Sequence, residues 1–322
     1  MNQGKMKVFE RPRLVEDLLL VEGVSRAGKF LMADLLAGCK GVEHVQYCGL
    51  FEHLPYMERL GVIERDVASS ILQCQIDNSA YDMMVGRNLN FRLSDKSSIY
   101  RSPHLGEYLQ RSLDDNNDQI HKEIRQRYYC YIVHETLPNI DLYLEIYPDL
   151  KVITIERNPI DLVYSWYKRG WGRRWGVDPL DFSMSFQGDQ GPIPWFVYQI
   201  CEQWETSNEM DKIILAQWQL YEMSKKALEM LPVAQRNKIF LTCYEEIVTE
   251  PMRELESIAG FLDTEILSVA TNVMAREGLP NSHPKKVRDG KLRLIKEMAS
   301  KQCLDLLCGL HDVYEEKGGM FK

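Results

Sequence analysis

The feature that most constrains this chain is a glycine turn that joins a short apolar run to a helical one. Residues 18–22 are almost wholly apolar, which is typical of a buried strand, and residues 30–36 have a helix-like pattern. Between them, residues 23–29 have the spacing G-x-x-x-x-G-K. In this pattern, backbone N–H groups and a helix N-terminus surround a phosphate. The sequence therefore predicts a strand, a phosphate loop and a helix, although a chance glycine turn is the alternative for this stretch taken alone.

The position after Lys29 departs from the form of this loop found in magnesium-dependent nucleotidases. Those proteins have Ser or Thr there, whose hydroxyl binds Mg²⁺, whereas this chain has Phe30. A phenyl ring cannot bind a metal ion. The loop therefore indicates phosphate binding while it argues against a magnesium-dependent nucleotidase.

Strand-like and helix-like segments alternate along the chain. Further strands are predicted at residues 42–47, 128–133, 152–155 and 238–242, and helices at 51–75, 105–128, 138–147, 195–231, 250–262 and 263–276. This alternation predicts an α/β fold with a mainly parallel central β-sheet, flanked by helices on both faces, that binds ligands at the carboxyl ends of its strands. Since no repeat, linker or boundary interrupts the pattern, we expect a single P-loop-like domain over residues 1–322.

Composition and charge exclude several classes of protein. The chain is 45% hydrophobic and 27% charged, as in an ordinary soluble protein, and its net charge of −8 argues against a general nucleic-acid binder. No apolar run approaches the length of a membrane span, and residues 1–13 lack the apolar core of a signal peptide. Eight cysteines without a C-x-x-C pair favour free thiols and no structural zinc. We therefore expect a cytoplasmic protein without a membrane span, whose oligomeric state the sequence does not specify.

Two irregular segments are candidates for the walls of a substrate cleft. Residues 77–128 are expected to include an insertion in which Arg87 and Asn90 belong either to a solvated hairpin or to a lip of the cleft. Residues 166–195 are expected to form a long loop rich in Trp and Arg. Trp171 and Trp175 either pack in the core or, as exposed rings among cations, bind a sugar or another polar acceptor.

Polar residues directly follow three of the predicted strands. They are the phosphate loop with Arg26 and Lys29, the pair His134 and Glu135, and Arg157. Because the carboxyl ends of parallel strands meet at one edge of a sheet, these groups are expected to line one cleft. An arginine at this edge is suited to bidentate contact with a phosphate.

At these positions the chain resembles the sulfotransferases that use 3′-phosphoadenosine 5′-phosphosulfate. In that family a loop of the form G-x-x-[RK]-[SG]-G-T-[TR] holds the 5′-phosphosulfate, and residues 23–30 resemble it. The family's R-[ND]-P-x-D-x-x-x-S motif holds the 3′-phosphate, and residues 157–165 match every fixed position. Residues 244–247 match the family's Y-E-[DE]-[LI] segment, and residues 288–290 loosely match its basic R-x-G loop. The resemblance extends from residue 18 to about residue 293.

The resemblance implies a set of donor contacts and no metal. The implied donor-binding residues are Gly23, Val24, Ser25, Arg26, Ala27, Gly28, Lys29, Phe30, Arg157, Ser165, Tyr244, Arg288 and Gly290. Tyr244 would contact the adenine, and 3′-phosphoadenosine 5′-phosphate would be the product. Lys29 and Phe30 replace the usual threonines, so a lysine charge would stand in for hydroxyl contacts to the 5′-phosphate.

The activity implied by this resemblance is in-line transfer of a sulfuryl group to an acceptor hydroxyl or amine. His134 lies about where the family's catalytic base falls, and an imidazole is suited to accept a proton at neutral pH. Glu135 is the alternative base. Arg26 and Lys29 would stabilise charge at the leaving phosphate. Among small-molecule and glycan acceptors, the Trp- and Arg-rich segment favours a carbohydrate or a glycosylated metabolite.

Two other functions are compatible with the sequence. A kinase that uses ATP or GTP would have a similar loop, but Phe30 and the lack of a clear Walker-B aspartate disfavour it. A catalytically inactive nucleotide-binding protein would explain the altered Lys29 and Phe30.

Overall fold

A five-stranded parallel sheet forms the centre of the molecule. The computed structural model describes residues 8–9, 11–113, 120–282 and 285–322. The strands are β1 (Leu18–Glu22), β2 (Gln46–Tyr47), β3 (Tyr129–Ile132), β4 (Lys151–Glu156), β5 (Ser185–Gln187), β6 (Pro192–Pro194) and β7 (Ile239–Cys243). The central sheet has the order β2-β3-β1-β4-β7 and all its pairs are parallel, while β5 and β6 form a separate antiparallel pair.

Helices follow the strands along the described chain. They are α1 (Lys29–Leu36), α2 (Gly49–Arg59), α3 (Arg65–Met84), α4 (Leu105–Arg111), α5 (Ile120–Ile124), α6 (Ile140–Ile146), α7 (Pro159–Lys168), α8 (Trp171–Arg174), α9 (Cys201–Glu205), α10 (Glu209–Met230), α11 (Val233–Arg236), α12 (Tyr244–Thr249), α13 (Pro251–Leu262), α14 (Val269–Arg276), α15 (Lys285–Met298) and α16 (Lys301–Lys317). Short 3₁₀ helices cover Ile99–Arg101, Leu137–Asn139 and Trp195–Ile200. None of the helices in the described ranges combines the length and apolar character needed to cross a bilayer.

Strand β1 shows why the sheet is covered on both faces. All five of its residues are buried. Leu18 and Leu20 pack in one core with residues of α3 and α6, whereas Leu19 and Val21 pack in a second core with residues of α1 and α13. Successive side chains of a strand point to opposite faces, so a continuous apolar run marks a strand buried on both sides. The predicted α/β fold with a parallel sheet is confirmed.

The register brings the ends of the three central strands to one edge. Val21 of β1 pairs with Ile132 of β3 and with Ile153 of β4, so these strands end close to the same level. The phosphate loop follows β1, the histidine–glutamate pair follows β3, and Arg157 follows β4.

Three predicted segments differ from the structure. The helix predicted over 51–75 is two helices, α2 and α3, because the left-handed Gly61 ends the first, and buried residues spaced by four then continue α3 to Met84. Residues 166–195 are no single loop, since they contain the end of α7, α8 and the β5–β6 hairpin. The basic loop expected around residue 288 is helix α15, which is anchored by the fully buried Ile295; residues 283 and 284 lie outside the described residues.

The insertion expected within residues 77–128 stays a prediction. In the described part of this segment, Ile99, Tyr108 and Ile124 are buried in the same core as Leu18 and Leu20 of β1. These side chains help to cover one face of the sheet.

Candidate active site

The phosphate loop requires glycine at both of its ends. Gly23 has a φ of 144° and Gly28 a φ of 118°, a region that side chains with a Cβ rarely adopt. A Cβ on Gly23 would lie 2.5 Å from the carbonyl oxygen of Ile155, and one on Gly28 would lie 2.5 Å from a ring carbon of Tyr244. The loop is therefore packed closely between β4 and the tyrosine that follows β7.

Lys29 begins α1, but its ammonium group turns back into the loop. Its Nζ donates hydrogen bonds to the carbonyl oxygens of Gly23 and Val24, the latter at 2.9 Å. Lys29 is 3% exposed, and this burial lowers its pKa while the carboxylate of Glu135 raises it. Lys29 thus stabilises the loop from inside through two hydrogen bonds. To contact a leaving phosphate as predicted, its ammonium group would have to give up at least one of them.

The second phosphate motif meets the loop directly. Arg157 Nη1 donates to the carbonyl oxygen of Arg26 at 2.9 Å, and its guanidinium lies 4.3 Å from the ring centroid of Tyr244. Arg26 Nε in turn donates to Ser165 Oγ at 3.3 Å. The Nε of Arg157 is buried and has no hydrogen-bond partner among the described residues. Four residues predicted to contact the donor thus lie together.

Positive charge accumulates beside the loop. Burial lowers the pKa of Arg26, and the neighbouring guanidinium groups of Arg169 and Arg157 lower it further. Three close cations of this kind attract an anion. The sequence placed Arg169 in the Trp- and Arg-rich segment and not beside the loop, although its position four residues after Ser165 at the end of α7 was a usable signal.

Ser25 connects the loop to a neighbouring cleft. Its carbonyl oxygen accepts a hydrogen bond from Trp166 Nε1 at 2.7 Å, and its N–H donates to Glu135 Oε1 at 2.7 Å. The cleft has about 580 Å³ of empty space and is lined by Ser25, Tyr47, Glu52, His134, Glu135, Trp166, Trp171, Trp175, Asp181, Phe182, Ser183 and Phe196.

His134 is held in this cleft by a carboxylate that sequence reasoning missed. Glu52 Oε1 lies 2.5 Å from His134 Nδ1 and also accepts the backbone N–H of His134 at 2.7 Å. An ionised Glu52 places the imidazole proton on Nδ1, which leaves Nε2 as the acceptor. No local sequence signal marks Glu52, which lies on α2 and meets His134 only because that helix packs beside the end of β3.

Glu135 lies where the cleft and the loop adjoin. Its φ of 50° is unusual for a residue with a side chain. Burial raises the pKa of Glu135, whereas His134 and Lys29 lower it. The Glu135 carboxylate accepts the Ser25 N–H. In a phosphate loop, a backbone N–H at this position would instead donate to a bound anion.

Arg288 and Gly290 lie in α15 and not in a basic loop. Arg288 is buried against α7, where its guanidinium is 3.2 Å from Asp161 Oδ2, 2.7 Å from Glu315 Oε1 and 3.4 Å from Glu245 Oε1. Its charge is therefore already balanced by carboxylates. Direct contact between this segment and a donor phosphate stays a prediction that these ion pairs disfavour.

The four residues predicted to contact the acceptor divide into two pairs. Trp171 and Trp175 line the cleft, with ring centroids 5.9 Å apart in a stacked arrangement. Arg87 and Asn90 do not line it. Arg87 is 3.9 Å from Asp82, and Asn90 donates to Ser97 and Asp95, so both are engaged near the far end of α3. Their role at a lip of the cleft stays a prediction, which their position outside the cleft lining does not support.

Three further loop residues serve packing. Val24 and Phe30 are partly buried against the core, and Ala27 is fully buried in it. Phe30 packs on the core that includes Leu19 and Val21 of β1.

In the ranges that the structure describes, no three His, Cys, Asp or Glu side chains gather in a way suited to hold a metal ion.

A family model for the sulfotransferase domain matches residues 104–277, just over half of the chain. The chain belongs to the sulfotransferase family. It is therefore an enzyme, a transferase. The matched range of this sulfotransferase contains His134, Arg157, Ser165 and Tyr244, whereas the phosphate loop precedes it.

Three solved structures illustrate the similarity of this sulfotransferase to known proteins. The sulfotransferase domain of the Synechococcus PCC 7002 olefin synthase is 11% identical, with a TM-score of 0.44 over 94% of this chain and 97% of that one. A sulfotransferase from Mycobacterium avium is 12% identical, with a TM-score of 0.41 over 82% and 68% of the two chains. One from Mycobacterium tuberculosis H37Rv is 12% identical, with a TM-score of 0.43 over 88% and 76%. No curated protein matches the chain.

Proposed function

We propose that this sulfotransferase transfers a sulfuryl group from 3′-phosphoadenosine 5′-phosphosulfate to an acceptor hydroxyl, with His134 as the base. The observation that carries the proposal is the meeting of Arg26, Arg157 and Ser165 at the phosphate loop, directly next to the cleft that contains His134. Ser25 lines that cleft and Arg26 is the following residue, so one peptide separates the two halves of the site.

The residues around the loop fit a donor with two phosphate groups. Within the described ranges, neither Arg26 nor Arg157 has a carboxylate oxygen within ion-pair distance, although Arg157 lies close enough to Asp161 to lower the pKa of that carboxyl. Arginine fits phosphate oxygens through paired N–H groups. The Tyr244 ring, which already lies against Arg157, offers a flat surface suited to an adenine. The donor supplies an activated sulfuryl group, and we propose that no metal takes part.

His134 is proposed to act through Nε2. Glu52 holds the Nδ1–H and fixes the orientation of the ring. Nε2 then takes the proton of the acceptor hydroxyl while the hydroxyl oxygen bonds to sulfur. The bond between sulfur and the donor's phosphate oxygen breaks, and its electron pair leaves with 3′-phosphoadenosine 5′-phosphate. Arg26 is placed to balance the charge that develops on that phosphate.

The acceptor is proposed to be a carbohydrate or a glycosylated metabolite. The ring of Trp171, which lines the cleft and stacks on the buried Trp175, supports this assignment, because aromatic faces pack against the C–H faces of sugar rings. We further propose a cytoplasmic location. All eight cysteines are described and none forms a disulfide, as in proteins of reducing compartments.

Donor binding and transfer test the proposal separately. We expect 3′-phosphoadenosine 5′-phosphate to bind in calorimetry whether or not EDTA is present, and Arg157→Ala to weaken binding at least about tenfold, since a charge-assisted phosphate contact is lost. Arg173→Ala is the matched control, because Arg173 is largely exposed and lies outside the cleft. Tight binding of Mg-ATP without affinity for the adenosine bisphosphate would refute the proposal.

Transfer is followed with labelled donor and a mixed acceptor library. His134→Ala is expected to keep donor affinity and lower the rate by on the order of 10²–10⁴, the usual contribution of a general base. Glu52→Gln is expected to slow transfer in the same direction. Donor binding without transfer to any acceptor would instead identify an inactive nucleotide-binding protein.

A further inference from the structure

Asn158 connects the second phosphate motif to the last helix of the chain. It follows Arg157 directly, and its side chain is fully buried. Its Oδ1 accepts the N–H of Ile160 at 3.1 Å, which caps α7, the helix that carries Ser165. Its Nδ2 lies 3.0 Å from Nδ1 of His311 on α16. One amide therefore holds the junction between β4 and α7, from which Arg157 and Ser165 both extend.

The bonds of this amide determine the protonation state of His311. The Ile160 N–H requires an oxygen on one side of the Asn158 amide, and the Glu315 carboxylate, 3.0 Å from Nδ2, requires a donor on the other. The NH₂ group of the amide therefore also faces His311, so Nδ1 of His311 has to be the acceptor. A histidine with an unprotonated Nδ1 is the neutral tautomer whose proton is on Nε2.

A second proton on His311 would disrupt this arrangement. The ring is only partly buried, so protons of the solvent can reach it. Nδ1–H would then stand opposite the NH₂ group of the buried Asn158, and two donors would meet without an acceptor. Turning the amide over would give His311 an oxygen, but it would leave the Ile160 N–H unmatched and bring that oxygen against Glu315. Either response disturbs the cap of α7.

The charged groups around the contact do not offer a replacement acceptor. In the described part of the chain, no carboxylate oxygen lies within ion-pair distance of His311. The three nearby carboxylates each accept hydrogen bonds from at least two other groups. The titratable and charged side chains around the contact are Tyr314 and Glu315 on α16, Asp161 on α7, Glu245 on α12, Arg288 and Lys291 on α15 and, packed beside Tyr314, Tyr221 on α10.

We propose that His311 is a positioning residue for the donor site and that it acts only as the neutral imidazole. Neutral His311 fixes Asn158, and Asn158 fixes the junction that presents Arg157 and Ser165 to a phosphate group. Protonation of His311 and binding of the donor therefore oppose each other, and by linkage each disfavours the other by the same factor. This inference rests on the proposed use of 3′-phosphoadenosine 5′-phosphosulfate and adds a pH-dependent contact behind its site.

The first test compares the affinity for 3′-phosphoadenosine 5′-phosphate at pH 8 and pH 5.5. His311→Asn keeps an amide oxygen that can accept from Asn158, and it does not titrate. An ordinary histidine is only about one-tenth neutral at pH 5.5, so the wild type is expected to lose about threefold to tenfold more affinity between these pH values than His311→Asn does. Ionisation of the ligand and of Glu135 is common to both proteins and cancels in the comparison.

His104→Asn is the matched control for the loss of a titrating ring. His104 precedes α4, and its Nε2 lies 3.1 Å from the carbonyl oxygen of Ala37, at the end of α1 remote from the phosphate loop. This variant should respond to pH like the wild type. An equal loss of affinity in the wild type and in His311→Asn would overturn the inference alone. Absence of binding in the wild type at both pH values would refute the proposed function.

The second test determines the tautomer of His311 in the wild type without a ligand, so its result does not depend on the identity of the donor. In ¹⁵N spectra of histidine-labelled protein at pH 8, Nδ1 of His311 is expected to be unprotonated and Nε2 to carry the proton. The signal is assigned by its loss in His311→Asn or His311→Gln. Saturating 3′-phosphoadenosine 5′-phosphate should then shift protonation of this ring to lower pH and leave that of His104 unchanged. A proton on Nδ1 at pH 8 would show that Asn158 does not donate to it, and the inference would be wrong.

Discussion

Glu135 lies where the phosphate loop and the cleft of His134 adjoin. It accepts the Ser25 N–H at 2.7 Å from a strained backbone conformation, and it also lines the cleft. A negative charge at this position opposes the binding of a second anion to the loop. Burial raises the pKa of Glu135, so that charge is lost at a higher pH than for an ordinary glutamate.

Glu135→Gln is therefore expected to tighten the binding of 3′-phosphoadenosine 5′-phosphate, by about tenfold at a pH where the carboxylate is ionised. Glutamine keeps an oxygen for the Ser25 N–H. Protonation removes the charge in the wild type, so the advantage of the variant should shrink as pH falls through the raised pKa. Calorimetry at several pH values measures the difference in affinity between the wild type and the variant. Ionisation of the ligand affects both proteins equally and cancels in this difference. Equal affinities at every pH would show that Glu135 does not oppose the donor.

At the scale of elements, the unit formed by β1, the phosphate loop and α1 is the most constrained part of the site. Its two glycines have left-handed backbones and leave no room for a side chain. The loop is further fixed by hydrogen bonds from Lys29, Arg157 and Trp166 to its carbonyl oxygens. Backbone N–H groups that are held in such a rigid loop bind an anion without a large loss of conformational entropy.

Gly28→Ala is expected to lower the free energy of unfolding by about 1–3 kcal/mol and to weaken donor binding. The new methyl group would meet the Tyr244 ring and force a strained φ. Gly309→Ala is the control, because Gly309 lies within α16 with open space around its Cα, and alanine there should stabilise the helix by about 0.5–1 kcal/mol. Urea denaturation and calorimetry measure both effects. Similar behaviour of the two variants would contradict the close packing of the loop.

At the scale of the whole molecule, the last residues of the chain pack on the edge of the sheet beside the site. Glu156 ends β4, and its carboxylate accepts the N–H groups of Met320 at 2.8 Å and Phe321 at 2.9 Å. Phe321 also stacks on Tyr221 of α10, with ring centroids 5.6 Å apart. Burial raises the pKa of Glu156 to about 7, against the opposing effect of these N–H groups.

This raised pKa makes stability depend on pH. The folded protein holds the Glu156 proton more tightly than the unfolded chain does, so the stabilisation is present below the ordinary pKa of about 4.5 and is lost as pH rises through about 7. Glutamine does not titrate. The unfolding free energy of the wild type should therefore fall relative to that of Glu156→Gln by roughly 3 kcal/mol between pH 4.5 and pH 8. Urea denaturation of both proteins across this range measures the difference, and parallel pH profiles would disprove the raised pKa.

Local patterns in the chain were sufficient to predict the parallel sheet and the meeting of several polar residues at the glycine loop. The continuous apolar run of β1 marks a strand buried on both faces, and Gly23 and Gly28 mark backbone conformations that other residues avoid. The fixed spacing of residues 157–165 places Arg157 at the end of β4 and Ser165 within α7. Because strands β1, β3 and β4 end at one edge, these local features also implied that the loop, His134 and Arg157 would meet.

The charge and the positioning of the site depend on packing between distant segments. Glu52 and His134 are 82 positions apart, and nothing near either residue in the chain indicates their contact. The same holds for the carboxylates of the cleft and the ion pairs of Arg288. They form because α2, α15 and the segment after α8 pack against the edge of the sheet. A side chain's spacing along its own element predicts the face on which it lies. Its partner is chosen by long-range contacts, which is why the strand, glycine turn and helix could be predicted in advance and the acidic character of the neighbouring cleft could not.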